Sequence, residues 1–208
     1  MKNLFTRASL LLACALSVSA CGGGNANLQL GVNVTGLTKE GLVLKNVSNG
    51  DTLAISRAAA ASGYPLPFNK LLEPDEHFDV EIDATPSGTT CTLQNNKGRI
   101  GAYSLSNIYV TCTNIPRELS GTVTGLKGSG LVLNNGSQRL AIEPTGASPQ
   151  SFTFATRDSA GKITGGTVGQ GDPFGVTVLT QPTGQTCTVT NGTGIMGEGY
   201  SAVAVSCQ

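Results

Sequence analysis

The chain has 208 residues, a formal net charge of zero and only 12% charged residues, about half the usual share. That excludes a coiled coil, which needs abundant Glu, Lys and Arg, and it excludes an electrostatic grip on nucleic acid, which needs a concentrated basic face. With 28 glycines and no tryptophan, yet too apolar for a disordered chain, the composition fits short strands joined by Gly-rich turns.

Lys2 and Arg7 open the chain with a small positive region, and Ala8 to Val18 is an apolar run of eleven residues. That length suits a secretory signal and is too short to span a bilayer. Val18-Ser19-Ala20-Cys21 resembles the bacterial lipobox, in which the cysteine is acylated on sulfur and becomes the first mature residue. The resemblance implies a cleaved lipoprotein signal peptide over residues 1–20 and membrane lipid as a partner, held through acylated Cys21. Val-Ser-Ala would also serve ordinary secretion, and cysteine parity separates the two. Losing Cys14 with the signal leaves five cysteines, and an odd thiol is a liability in an oxidising compartment. Acylation of Cys21 removes it. Residues 21–27 then form an uncharged flexible tether, keeping the first folded unit within roughly 20 Å of the membrane surface. By resemblance to lipoprotein sorting in enteric bacteria, Gly22 after the cysteine favours the outer membrane over the inner. The expected location is the cell envelope.

The remaining chain is a duplication. Val34-Thr35-Gly36-Leu37 and Gly41-Leu42-Val43-Leu44 recur as Val123-Thr124-Gly125-Leu126 and Gly130-Leu131-Val132-Leu133. Phe78-x-Val80-x-Ile82 recurs as Phe174-x-Val176-x-Val178, and Pro86 to Cys91 recurs as Pro182 to Cys187. The expected domains are residues 28–114 and 117–208, joined by a short link that Pro116 stiffens. Leu30, Val32 and Val34 alternate with polar or small residues, as do Phe78, Val80 and Ile82. Period two means one buried and one wet face. Turn signals at Asn49-Gly50, Ser87-Gly88, Asn135-Gly136 and Asn191-Gly192 divide each unit into about seven strands. The expected fold is all-β, with two tandem antiparallel β-sandwich domains. Ala58 to Ala61 could form one helical turn before Gly63 and Pro65 stop it. Gly161 to Gly171, an insertion of the second unit, reads as a long mobile loop.

Gly121 to Leu126, Gly130 to Asn134, Phe152-Thr153-Phe154, Pro182 to Cys187 and Val203 to Cys207 together resemble a tandem repeat of bacterial surface proteins and lipoproteins. The first unit departs from it, with Val32 in place of the opening glycine and Leu66-Pro67-Phe68 in place of Phe-x-Phe. The resemblance implies a module rather than an activity. The early strands also look like transthyretin-like or collagen-adhesin B-type sandwiches, so immunoglobulin-like and transthyretin-like strand orders both stand.

Four cysteines allow three pairings, and repeat symmetry selects Cys91 with Cys112 and Cys187 with Cys207. Parity agrees, because each shares a strand face with apolar neighbours. A zinc site is disfavoured, since no Cys-x-x-Cys is present. His77, the one histidine, sits in an acidic turn with no counterpart in the second unit. No enzyme activity and no cofactor are expected. One constellation stands out: Asp79, Glu81 and Asp83 line one strand face at about 7 Å spacing. This row is a solvated face, or the contact for a basic protein partner at the envelope or cell surface, or a cation site. The expected function is a non-catalytic, membrane-anchored structural or interaction module. The alternative is a ligand- or metal-binding lipoprotein using the acidic face.

Overall fold

A computed structural model describes residues 27–197 and 202–208. The protein is all-β. In the first half, β1 (Leu30–Thr35), β2 (Leu42–Asn46), β3 (Asp51–Ile55), β4 (Leu66–Pro67), β5 (His77–Ala84), β6 (Thr89–Gln94), β7 (Lys97–Arg99) and β8 (Leu105–Asn114) form two four-stranded sheets. Their orders are β4-β1-β8-β6 and β3-β2-β5-β7. After β9 (Pro116–Glu118) the second half repeats the plan. There β10 (Ser120–Thr124), β11 (Leu131–Asn135), β12 (Gln138–Ile142), β13 (Gln150–Thr153), β17 (Pro173–Thr180), β18 (Cys187–Thr190), β19 (Thr193–Ile195) and β20 (Ala202–Cys207) form sheets ordered β13-β10-β20-β18 and β12-β11-β17-β19. Strand for strand, the two halves share one topology.

Alternation produces these sheets. Leu30, Val32 and Val34 point inward from β1, and Phe78 and Val80 from β5, while Asp79 and Glu81 face out. Each half buries its own apolar cluster, the first around Leu30, Leu44, Val80 and Ile108, the second around Leu119, Leu133, Val176 and Val205. Burying one such side chain is worth about 1.5–3 kcal/mol. Gly50 and Gly136 take left-handed backbone in the β2–β3 and β11–β12 turns, which only glycine adopts freely. The Ala-rich segment does form a single turn, α1 (Arg57–Ala61), whose N-terminus is capped by the Ser56 side chain.

Two asparagines end equivalent strands, Asn46 buried and Asn135 half-buried. The Asn46 side-chain oxygen accepts hydrogen bonds from the backbone N–H of Ser48 (3.3 Å) and Asp79 (3.0 Å). In the second half Asn135 accepts one from Gly175 (2.8 Å). Both halves also shift register at the same place, between Val43 and Leu44 opposite β5 and between Val132 and Leu133 opposite β17.

Three features differ from expectation. The first strand of each half runs parallel to the last, β1 beside β8 and β10 beside β20. These strands are far apart in sequence, so no hairpin forces them antiparallel. Among the described residues the two main sheets of each half together hold eight strands rather than about seven, because the three-residue β7 and β19 are too short to leave a periodic signal. Finally, the Gly161–Gly171 stretch is not an unstructured loop. It carries β15 (Ile163–Gly165), paired with β14 (Thr156–Arg157), and β16 (Thr167–Gly169), which pairs antiparallel with β9 of the link. The pairing partner lies some fifty residues away, where local pattern cannot see it.

Both disulfides form as parity and symmetry required, Cys91–Cys112 and Cys187–Cys207. Each joins directly opposed residues of adjacent strands, β6 to β8 and β18 to β20. They therefore staple neighbours within one sheet. The inter-sheet bridge of antibody domains connects the two layers instead.

Candidate functional site

The acidic row lies on the outer face of β5, and its surroundings come from the strands on either side. Lys97, on neighbouring β7, reaches Asp79 at 2.9 Å and Glu81 at 3.6 Å. On the other side, Lys45 of β2 stands directly opposite Glu81. Asp83 has no opposite residue on β2, since the register shift passes over it. Three carboxylates thus face two ammonium groups, so the face is a charge ladder with a small acidic excess. The hydrogen bond from Lys97 to Asp79, reinforced by the Asp79 and Glu81 charges, holds the lysine ammonium above its ordinary value of 10.5 against a smaller opposing effect of desolvation. One Asp79 oxygen, Oδ1, is buried without a hydrogen-bond partner in the protein. His77 opens the same strand, exposed and opposite Arg99, which pairs with Asp75 at 3.0 Å. Among the described residues no group of three or more His, Cys, Asp or Glu is placed to hold a metal ion.

The junction between the halves is the more elaborate construction. Asn114, at the end of β8, donates from Nδ2 to Asp172 (2.7 Å) and to Thr38 (3.0 Å), and its Oδ1 accepts from Thr89 (3.0 Å). The backbone continues the link: Ile115 N–H donates to Gly88 carbonyl, and Gln170 N–H donates to Ile115 carbonyl, each at 2.8 Å. Arg117 donates twice to the buried Gln170 side-chain oxygen, at 3.0 and 3.3 Å. Gln170 also lies against Gly88, where any Cβ would fall inside its side chain. Lys39 lies across Gly171 and donates to the Ser87 carbonyl (3.0 Å).

One difference between the two units bears on the junction. At the position of Thr89 the second half has Gln185, whose side chain accepts from Lys127 and Gly128 N–H (2.7 and 2.9 Å) and donates to the Gly125 carbonyl (2.8 Å). The second half thus ties its own loop together. In the first half the same position serves the junction.

On the outer face of β4, β1 and β8 lies a groove of about 360 Å³, with Gln29 and Gly31 between Tyr64 and Pro65 on one side and Ser104 and Ser106 on the other. Tyr64 and nearby Tyr103 are among the most exposed large side chains described, at 77% and 84%. Cys21 and the segment before it lie outside the described residues. No described helix is long and apolar enough to cross a membrane.

Fold and site together define an all-β protein of two like halves, each stapled within one sheet by a disulfide and joined through a built junction. No protein-family model matches the chain, and no curated protein matches it.

Proposed function

We propose that this chain is a non-catalytic lipoprotein of the bacterial cell envelope, anchored through acylated Cys21 and carrying two β-sandwich domains as a structural or protein-interaction module. The outer membrane is the favoured site, and the partner is an envelope or cell-surface protein rather than nucleic acid. The junction carries this reading. Side chains and backbone of both halves converge on the link through Asn114, Arg117, Asp172 and Gln170. Such an arrangement suits holding one sandwich at a set attitude to the other, as a presenting arm requires. The disulfides fit the same reading, since stapled strands belong to an oxidising compartment.

The test is membrane fractionation of cells expressing wild type and Cys21→Ser. The wild type should partition with membranes and the variant should appear in the soluble envelope fraction. A Cys21→Ser protein that still requires detergent for release would overturn the anchor.

A further inference from the structure

We propose that the end of the first half nearest the tether rests on the phospholipid surface, with Tyr103, Leu71 and Tyr64 entering the headgroup region. This rests on the reading of Cys21 as the lipid anchor and adds a second, non-covalent contact to it.

The argument begins where the described chain starts. Leu28 is fixed by a two-way backbone bridge to Leu72 (2.9 and 2.8 Å), and Gln29 N–H donates to the Ser104 hydroxyl (2.9 Å). The entering strand is therefore flanked by Leu71-Leu72 on one side and Tyr103-Ser104 on the other. Leu71 is 48% exposed and Tyr103 84%. Tyr64, 77% exposed, overhangs the groove that holds Gln29. Three of the seven large apolar side chains exposed among the described residues thus gather around the first few residues of the fold.

The tether then decides what they meet. Six residues, 22–27, separate Cys21 from Leu28, and however they are arranged the two residues lie no more than about 25 Å apart. An acylated Cys21 keeps this end permanently within that distance of the bilayer. The second half leaves from the opposite end of β1, where Thr38 meets Asn114. Tyrosine suits the place, because its ring is apolar and its hydroxyl can stay wet, which draws it to membrane interfaces. The charges choose the lipid. Arg99 pairs with Asp75, and Glu73 and Glu76 lie in the same turn, so this end has no basic excess to attract anionic headgroups. A zwitterionic surface is the occupant that fits.

Because the protein contains no tryptophan, one introduced indole is an unambiguous reporter. The acylated full-length mature protein carrying Tyr103→Trp is reconstituted into phosphatidylcholine vesicles whose acyl chains are brominated near the headgroup. Leu179→Trp, at a 48% exposed site in the second half, serves as the control. The Tyr103→Trp protein should show blue-shifted emission and severalfold stronger bromine quenching than the control. Flotation of the vesicles is read in the same sample. Protein that floats with vesicles but shows equal quenching at the two positions overturns the surface contact and leaves the anchor standing. Protein that does not float removes the anchor, and this proposal with it.

Discussion

Replacing Gly88 by alanine tests whether the junction contributes to stability. Two costs add at this position. Gly88 has φ +67°, and an alanine held there loses roughly 1–2 kcal/mol to left-handed strain. The new methyl also falls where the Gln170 side chain lies. That side chain is flexible and can swing away, but only by releasing the two Arg117 hydrogen bonds at 3.0 and 3.3 Å. Bonds to a charged group are worth about 1.5–3 kcal/mol, and Arg117 is only half-buried, so the lower end, about 1.5 kcal/mol, applies. Gly50→Ala supplies the control. Its φ is +72° and a Cβ there meets nothing within 4 Å. Gly50→Ala should therefore lose roughly 1–2 kcal/mol from strain alone, and Gly88→Ala about 2.5–3.5 kcal/mol from both causes. The gain from restricting the unfolded chain is common to both variants and cancels. Urea unfolding of the oxidised protein by circular dichroism measures the losses. Repeating Gly88→Ala in a Gln170→Ala background closes a double-mutant cycle, and there its cost should fall to that of Gly50→Ala. Equal losses for the two single variants, or an unchanged cost in the Gln170→Ala background, would refute the reasoning.

The Cys91→Ala/Cys112→Ala pair opens a loop whose ends are 21 residues apart and should cost roughly 3 kcal/mol by chain entropy. Peptide maps of unreduced protein should show only Cys91–Cys112 and Cys187–Cys207; a peptide joining the two halves would contradict both bridges. At Lys97 the folded-state value lies above 10.5, so its stabilisation is present below 10.5 and lost as pH rises through the folded value. The urea midpoint of wild type should therefore exceed that of Lys97→Met at neutral pH, with the gap closing in alkali. A gap that persists in strong alkali, or none at neutral pH, would show that the ion pair contributes nothing.

Much of the architecture was legible because it depends on local period. Phe78 and Val80 face in and Asp79 and Glu81 face out because successive residues of a strand point to opposite sides. The same parity put all four core cysteines inward, where they are 9% exposed or less, and the duplication chose between pairings. The acidic row was legible as a row. Its compensation was not, since Lys97 follows Asp79 by 18 residues and Lys45 precedes Glu81 by 36, and no rule of sequence spacing makes β2 and β7 the neighbours of β5.

By itself, then, the amino-acid sequence determined what each strand hides, where glycine turns the chain, and that one plan is written twice. Those are properties of a few consecutive residues and of chain covalency. Only the tertiary structure decided which strands lie side by side. It set β1 parallel to β8, placed each disulfide within a sheet, and turned a Gly-rich insertion into a strand on β9. Backbone hydrogen bonds are nearly the same for any partner strand, so partner choice comes from packing the whole core at once. For the same reason Gly88 and Gln170, 82 residues apart, acquire their importance only when the two halves meet.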